Sequence, residues 1–444
     1  MERRTKTFGL LLLFLMMLSL PVKSEYDPVL AGYHERESCL YLDYAGFLVT
    51  DSNCARLEVY YRFCNAVLQF KPSGGSFEAA YKAVIRIRDK NDRQIDSYSR
   101  ERKITVANEQ RAHSVSDFRI NLVSFNLVPG KYKLEFSLRD KVAEKTVRRE
   151  EKLKLGDCDR EKPHLSDIVF IMDAGNSQET PSVFDKGNLT LVPSVMRSYG
   201  ASDNKRLGYY LEIYQGSDLA DDVFVEATVR KKWGNMVYRD SMTILLEEST
   251  VRQYREVSLD QMAPGDYELE VRLRGRRGKK LDQKRRNFRV EWTPEALVRH
   301  NYKDALRLLS YIANHEEIEK LEKCESHRER LESIREFWLS RDPTSGTREN
   351  ELRDEFYRRV QYANRNFSFM SQNGWRSDRG KTYIKLGEPD QIDDYPVSVN
   401  RRPYQVWYYY QSDGYRKYTF VDENEDGDYR LVYPYNGFDQ RPDF

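Results

Sequence analysis

One short segment near the C-terminus carries residue types that could do chemistry. Within this segment of the sequence, Trp375 supplies an indole, Asp378 a carboxylate and Arg379 a guanidinium. A second carboxylate, that of Asp390, follows in the chain. Two carboxylates in one pocket could act as general acid and base, with Trp375 and Arg379 lining a ligand cleft. The interpretation we prefer is a structural corner between a helix and a strand, with Trp375 buried and Ser377 or Asp378 capping backbone amides.

An acidic stretch offers a second candidate site. Asp422, Asn424 and Asp426, followed by Gly427, begin like an EF-hand calcium loop. The twelfth position, where that loop needs a glutamate, is Tyr433, and both flanks resemble strands. We therefore prefer a plain acidic hairpin turn, with a partial oxygen-rich calcium site as the alternative, and expect no other cofactor.

A basic stretch between residues 272 and 289 is the third candidate. Asp282 is its only acidic residue, and apolar residues interleave with the basic ones, which indicates a hairpin with a basic outer face and turn. Such a face could bind anionic glycan, lipid headgroups or an acidic protein, but basic residues also protect edge strands from aggregation, and we prefer that reading. The candidate patch consists of Arg274, Arg276, Arg277, Lys279 and Lys280.

The known catalytic patterns are missing from the sequence. The segment beginning at His315 lacks the second histidine of a zinc protease, and no nucleophile elbow, P-loop or dinucleotide-binding glycine pattern occurs. A glycosidase-type carboxylate pair stays open, because 71 acidic residues offer too many combinations. The balance of 73 basic against 71 acidic residues argues against a nucleic-acid partner. The sequence therefore favours a non-catalytic protein.

The N-terminus has the pattern of a secretory signal peptide. A basic start precedes an apolar run at 8–20, and Val22 and Ser24 suit cleavage after Ser24. An uncleaved anchor is the alternative, but the run is shorter than the ~20 apolar residues that span a bilayer. Removing the leader's net charge of +3 from the chain's +2 leaves −1, so the mature chain has no basic excess. We expect export to the periplasm or cell surface, without a transmembrane segment after cleavage.

Export changes the interpretation of the five cysteines, because disulfides persist outside the cytoplasm. Residues 56–63 resemble a strand, which would hold Cys54 and Cys64 about 33 Å apart, beyond disulfide reach. Pairing among Cys39, Cys54, Cys64 and Cys158 stays open, and Cys324, on a predicted helix, is expected to be a free thiol.

Two similar segments predict the elements ahead of these sites. Residues 127–136 and 262–271 each place a Pro-Gly turn before a strand that begins with tyrosine and alternates apolar positions. A Tyr-rich strand (57–63 and 209–215) and a charged strand (83–89 and 225–231) precede each turn. The repeat predicts two tandem immunoglobulin-like β-sandwiches, at 25–157 and 164–292.

Beyond Trp292 the hydrophobic period becomes helical. Thr293 and Pro294 suit the start of a helix, and apolar residues recur at helical spacing up to 338 and again over 352–367. From Lys381 to Val432 we expect short aromatic strands, including one at 382–387. The predicted fold is therefore multidomain and mainly β, with a signal peptide at 1–24, a helical connector at 293–346 and an α+β domain at 347–444.

The C-terminal part resembles the bacterial GWxTD domain family. The motif occurs as Gly374-Trp375-Arg376-Ser377-Asp378, with serine where the family has threonine, and Gly387-Glu388-Pro389-Asp390 follows. Flanking features match in order: Phe337-Trp338, Asn350-Glu351, Trp407-Tyr408-Tyr409 and Phe420-Val421-Asp422. The resemblance implies an exported protein with β-rich segments ahead of the domain, and no established activity. It adds Gly374, Gly387 and Pro389 to the candidate residues.

We therefore expect an exported, non-catalytic modular protein of the bacterial cell envelope. Its sandwiches would present a GWxTD domain that binds envelope protein or glycan. The alternative is a hydrolase-type envelope enzyme that uses Asp378 and Asp390 in a C-terminal cleft.

Overall fold

The computed structural model describes most of the chain beyond the predicted leader. The described residues are 39–49, 55–114, 117–156, 161–178, 180–200, 206–216, 222–232, 234–260, 262–275, 278–343, 350–370, 372–396, 402–411 and 414–434. The predicted signal peptide, Cys54, Cys158, Arg276 and Arg277 lie outside them. Within these ranges no helix has the length and apolarity needed to cross a membrane.

The first sandwich consists of two antiparallel sheets that face each other. One has the strand order β1-β2-β6 and the other β5-β4-β7-β8, with the short β3 beside β4. Alternate residues of the strands point into the shared core, as Leu134 and Phe136 do in β7. The elements are β1 (Leu40–Leu48), β2 (Ala55–Cys64), β3 (Lys71–Ser73), β4 (Ser76–Asp89), β5 (Gln94–Val106), α1 (Glu109–Ala112), β6 (Phe118–Leu127), β7 (Gly130–Asp140) and β8 (Thr146–Leu155).

The second sandwich repeats this topology. Strands β10-β14-β17 form one sheet and β16-β15-β18-β19 the other, with β11 and β12 extending the first and β13 the second. The elements are β9 (His164–Leu165), β10 (Val169–Asn176), β11 (Asp185–Lys186), β12 (Leu189–Pro193), β13 (Ser198–Tyr199), β14 (Arg206–Tyr214), β15 (Asp222–Lys231), β16 (Met236–Leu245), β17 (Thr250–Ser258), β18 (Gly265–Arg274) and β19 (Lys280–Val290). The predicted tandem immunoglobulin-like sandwiches are confirmed.

The repeated Pro-Gly-x-Tyr signature forms the same corner in both sandwiches. The Tyr132 hydroxyl donates to the carbonyl oxygen of Val128 at 2.7 Å, and the Tyr267 hydroxyl donates to that of Ala263 at 2.6 Å. Each tyrosine thereby joins the start of its strand to the turn before it, as the tyrosine corner of immunoglobulin-like domains does. The signature thus encodes a side-chain-to-backbone lock.

The two sandwiches pack against each other through a second apolar cluster. Every residue of β2 except Arg56 and Arg62 is buried, and in β14 only Arg206 is exposed, so both strands are covered on both faces. One face of each lies in its own core, and the other faces the neighbouring sandwich. The cluster between them contains Ala45, Phe47, Tyr60, Val169, Ile171, Leu191, Val195 and Tyr210.

Charged side chains are paired across this interface. Asp43 of β1 is 3% exposed and accepts from Arg286 of β19 and from Arg197, each at 2.5 Å. Arg286 also donates to the carbonyl oxygen of Tyr44 at 2.8 Å. Buried charges are tolerated when they are paired and hydrogen-bonded, as these are. We call Asp43, Arg197 and Arg286 the Asp43 triad.

Two buried glutamates extend the same interface. Glu58 of the first sandwich is paired with Lys186 of the second. Glu212, buried beneath the interface in β14, accepts from the hydroxyls of Tyr210 at 2.8 Å and Tyr214 at 2.6 Å. The Tyr- and Glu-rich strands of the two repeats therefore join the sandwiches to each other.

Within the described residues, the C-terminal part contains six α-helices and a four-stranded antiparallel sheet of order β20-β21-β22-β23. Thr293 caps the first helix by accepting from the Ala296 amide at 3.2 Å, with Pro294 in the first turn, as predicted. The elements are α2 (Pro294–His300), α3 (Tyr302–Leu309), α4 (His315–Glu322), α5 (His327–Leu339), α6 (Glu351–Asn366), α7 (Asp378–Leu386), β20 (Gln391–Tyr395), β21 (Tyr404–Gln411), β22 (Gly414–Asp422) and β23 (Tyr429–Tyr433).

The strand expected at 382–387 is wrong, because Asp378–Leu386 forms helix α7. Its aromatic and β-branched residues resemble a strand, but Ser377 caps a helix here, and Tyr383 and Ile384 are buried on its inner side. Tertiary packing outweighs local β propensity. One core also runs from Leu297 through Trp338 to Ile384, so the helices at 293–346 pack together with the motif.

Candidate functional site

The GWxTD motif forms a tight turn between α6 and α7. A Cβ atom on Gly374 would lie 1.9 Å from the carbonyl oxygen of Ala363 in α6, and one on Gly380 would lie 1.9 Å from that of Gly374. The Gly374 amide donates to the Ser368 hydroxyl at 2.8 Å. The turn therefore requires glycine at these positions because two backbones approach each other closely.

Trp375 is buried in the core of the C-terminal domain. It is 1% exposed, with ring centroids 6.5 Å from Trp292 and 6.2 Å from Tyr311. Its amide donates to the Asn364 side chain at 3.1 Å, and its carbonyl oxygen accepts from the Tyr311 hydroxyl at 3.1 Å. Trp375 therefore joins α6, α7 and the preceding helices and has no face open to a ligand.

The next three motif residues connect α7 to its surroundings. Arg376 is paired with the buried Asp304 of α3. Ser377 is the N-cap of α7, and its hydroxyl accepts from the Gly380 amide at 3.1 Å. Asp378 follows in the first turn, where a carboxylate is favoured by the helix dipole, and its side chain accepts from the Leu431 amide of β23 at 3.0 Å. The corner is therefore helix-to-helix, whereas we expected helix-to-strand.

Arg379 is held between two aromatic rings. Its guanidinium lies 5.1 Å from the ring centre of Phe367 and 4.0 Å from that of Tyr429. It donates to the carbonyl oxygen of Gly427 at 3.3 Å and to the Gln405 side chain at 3.3 Å. Burial lowers the pKa of Arg379 from its ordinary value. This cation supports the β22–β23 turn through stacking and hydrogen bonds.

The Gly387-to-Asp390 segment forms the connection from α7 to the sheet. Gly387 has a φ of +86°, a backbone conformation that favours glycine, and its carbonyl oxygen accepts from the Tyr409 hydroxyl at 3.0 Å. Pro389 is buried. Asp390 accepts from the Tyr410 amide at 2.7 Å. Of the four residues proposed to line a cleft, Trp375 lies in the helical core, Asp378 and Arg379 both contact β23, and Asp390 contacts β21. The cleft stays a prediction.

The acidic stretch forms the turn between β22 and β23. Asp422 is 3% exposed, and its two carboxylate oxygens accept from the amides of Asp426 at 3.0 Å and Gly427 at 2.7 Å. Asn424 and Asp426 are exposed. Across the described ranges no three carboxylate, histidine or cysteine side chains converge on one point. Calcium binding stays a prediction, with Asp422 already engaged by the turn.

Several basic residues of the predicted basic face form ion pairs with glutamates of other strands in the same sheet. Arg274 lies 3.6 Å from Glu226, and Arg285 lies 2.9 Å from Glu270, both glutamates being buried. Arg286 is paired with Asp43 in the Asp43 triad. Lys279 and Lys280 are exposed at the turn, and Arg276 and Arg277 lie outside the described residues. Sequence neighbours alone could not show this pairing, because Glu226 and Glu270 belong to other strands of the sheet.

The outer side of the C-terminal sheet carries an aromatic surface that is not among the sequence-predicted sites. Residues opposite each other in an antiparallel sheet share a face, and the register pairs Tyr395 with Tyr404 and Tyr410 with Tyr415. Tyr410 is 54% exposed and Tyr415 62%. Tyr408 belongs to the same face by alternation. We call Tyr395, Tyr404, Tyr408, Tyr410 and Tyr415 the tyrosine face.

The tyrosine face is mounted on a packed support. The alternate residues of the same strands, Trp407, Tyr409 and Phe420, are buried against α7 and the end of α6. The rings of Tyr395 and Tyr404 stack at 4.3 Å, and the Tyr410 hydroxyl donates to Gln391 at 2.7 Å. Aromatic residues on both faces of β21 were the available sequence signal.

Two cavities in the described part of the chain are small. One, of about 180 Å³, lies at the end of the first sandwich near Arg111 and Arg119, and another, of about 100 Å³, lies between α2 and α5. Ligand pockets typically enclose about 300–1,000 Å³. Both cavities are therefore smaller than a typical ligand pocket.

Of the comparisons with known proteins, the one with sequence models of families agrees with the motif. Among proteins with curated functions, none matches this sequence. Solved structures with local likeness include a β-glucuronidase of Bacteroides uniformis (12% identity, TM-score 0.20, covering 53% of this chain and 26% of that one). Red sea bream transglutaminase (10%, 0.16, 57% and 32%) and a glycosyl hydrolase family 2 member of Bacteroides cellulosilyticus (12%, 0.22, 52% and 26%) are further examples.

At these TM-scores the likenesses carry no argument about function, and the chain spans about a third or less of each of those proteins. The family comparison is specific: residues 284–436 match the sequence model described as the GWxTD domain. That range includes β19 from Lys284 onward, the C-terminal helices and the four-stranded sheet. This chain therefore carries a GWxTD domain, which follows two immunoglobulin-like sandwiches in the sequence.

Proposed function

We propose that this protein is an exported, non-catalytic scaffold of the bacterial cell envelope. Its two sandwiches form a joined spacer, and its GWxTD domain binds an envelope protein through the tyrosine face. The observation that carries the proposal is a contrast within the domain: the motif residues are engaged inside the fold, whereas Tyr395, Tyr410 and Tyr415 of the tyrosine face are exposed on a packed support.

The chemistry of the tyrosine face favours a protein partner over a glycan. Tyrosine is enriched in the centres of protein interfaces, because a rigid ring buries large area while its hydroxyl bonds to the partner. The face follows a sheet, and Lys417 lies opposite Tyr408 in the register, which places a charged residue beside the tyrosines.

Site-specific photo-crosslinking tests the binding proposal. A photoreactive amino acid at position 415 in the full chain, expressed in the native envelope, should give one discrete protein adduct on irradiation. The same amino acid at Met370, 88% exposed in the loop after α6, should not. Adducts of equal yield at both positions, or none at 415, would contradict the proposal, and an adduct sensitive to glycosidase would indicate glycan.

The export proposal rests on the N-terminal pattern and has its own test. The mature protein recovered from the envelope fraction should begin at Glu25, which N-terminal sequencing or intact-mass measurement shows directly. A chain that retains Met1 in the cytoplasmic fraction would overturn it.

A further inference from the structure

Cys39 and Cys64 lie opposite each other at one end of the β1–β2 ladder. The register pairs Leu40 with Phe63, and one further step places Cys39 across from Cys64. Opposite residues of an antiparallel pair share a face and have Cα atoms about 4.5–5.5 Å apart. A disulfide requires about 4.4–6.8 Å between Cα atoms, so this position suits one.

The packing holds both thiols in place. Cys64 is 2% exposed and pairs on its other side with Phe118 of β6, so its backbone is fixed between two strands. Cys39 is partly exposed and packs on the same core. The two thiols hydrogen-bond to each other, and this contact lowers the pKa of Cys39 against the opposing effect of burial, with a further contribution from the charge of Arg62. The more exposed thiol is thus also the more easily deprotonated one.

We propose that Cys39 and Cys64 are a disulfide-forming pair that a small-molecule disulfide such as oxidised glutathione oxidises. The Cys39 thiolate attacks one sulfur of the oxidant and releases one glutathione thiolate. The Cys64 thiol loses its proton and attacks the Cys39 sulfur of the mixed disulfide, which releases the second glutathione. Two protein thiols are oxidised to one disulfide while one glutathione disulfide is reduced to two thiols.

The bond would secure the strand on which the joint between the sandwiches depends. In the described sheet β1 pairs only with β2, yet it carries Asp43 of the triad and Gly46, whose amide donates to Asp167 of the second sandwich at 2.8 Å. A covalent link at the first residue of the β1–β2 ladder keeps this outer strand from separating. The pair therefore couples oxidation to the stability of the interface.

Disulfide mapping of the full mature chain tests the proposal without depending on export. The reduced protein is incubated with oxidised glutathione, free thiols are alkylated, and peptides are analysed by mass spectrometry without reduction. We expect a linked Cys39–Cys64 peptide and an alkylated Cys324, and in Cys39→Ser an alkylated Cys64. Alkylation of both Cys39 and Cys64, or their linkage to Cys54 or Cys158 instead, would overturn the proposal.

A stability measurement supplies the second readout. Reduction should lower the thermal midpoint of the wild-type chain and leave that of the Cys39→Ser/Cys64→Ser double variant unchanged. The Cys324→Ser variant is the matched control and should respond to reduction as the wild type does. An equal response of the double variant would contradict the assignment.

Discussion

Removing the carboxylate of the Asp43 triad should loosen the joint between the two sandwiches. In Asp43→Ala, Arg286 is left with its side chain 9% exposed and without a carboxylate partner among the described residues, while Arg197, 34% exposed, can turn toward solvent. Breaking a buried ion pair by removing one partner costs about 3–5 kcal/mol. Because Arg197 is partly exposed, we expect the lower end, about 3 kcal/mol, which corresponds to roughly a hundredfold change in a local opening equilibrium.

Hydrogen exchange read by mass spectrometry is the suitable assay, because it reports each element separately. Peptides from β1, β2 and β10 should exchange roughly a hundredfold faster in Asp43→Ala, while peptides from α5 should not change. The control is Glu332→Ala, which removes the exposed Arg328–Glu332 pair and should cost less than about 1 kcal/mol.

A second variant tests the cause of the loss. Replacing Arg286 with methionine in the Asp43→Ala background removes the unpaired buried cation and should recover part of the protection. The reasoning is refuted if Asp43→Ala changes exchange in β1 and β10 by less than about threefold, or if the Arg286→Met addition makes exchange faster still.

Three further predictions concern the GWxTD domain. Gly374→Ala should unfold the domain, because the added Cβ would lie 1.9 Å from a backbone oxygen, and tryptophan fluorescence measures the unfolding. Gly275→Ala, where the nearest atom would be 3.7 Å from the added Cβ, should be nearly neutral. Equal unfolding midpoints for the two variants would contradict the close-approach argument. Ser377→Ala should cost about 1 kcal/mol in urea unfolding through loss of the helix cap, whereas Ser377→Thr, the family's residue, keeps the hydroxyl and should stay close to wild type. Burial alone would raise the pKa of Glu355, but Arg358 and Arg359 outweigh this effect and hold the pKa below its ordinary value. The stabilising contribution of the Glu355 carboxylate is therefore present at neutral pH and lost as pH falls through the lowered pKa. Glu355→Gln should show a smaller decrease of melting temperature between pH 7 and pH 3 than the wild type.

The elements with strong local signals could be predicted from the sequence. The two Pro-Gly-x-Tyr segments predicted the repeat because the turn and the tyrosine corner are local, and Thr293-Pro294 predicted a helix start because capping is local too. Asp378 was expected at a helix-to-strand corner, and it lies instead in the first turn of a helix, α7.

The remaining features depend on contacts between distant residues. Helix α7 has a strand-like composition, and its burial against α6 and the sheet decides the outcome. The ion pairs of the basic stretch could not be predicted, because the acidic partners lie far away in the chain. Arg286 is paired with Asp43, and Arg274 with Glu226. The tyrosine face needed the strand register, since alternation alone left both sides of β21 aromatic.

The most direct test of the account compares two variants in one capture experiment. Tagged full-length chains carrying either Tyr410→Ser/Tyr415→Ser or Asp378→Asn are recovered from the native envelope, after circular dichroism has shown that both are folded, and the crosslinked partner is quantified. The account predicts loss of the partner with the tyrosine variant and near wild-type recovery with Asp378→Asn. Recovery with the tyrosine variant and loss with Asp378→Asn would show that binding takes place around the motif and would contradict the assignment of function to the tyrosine face.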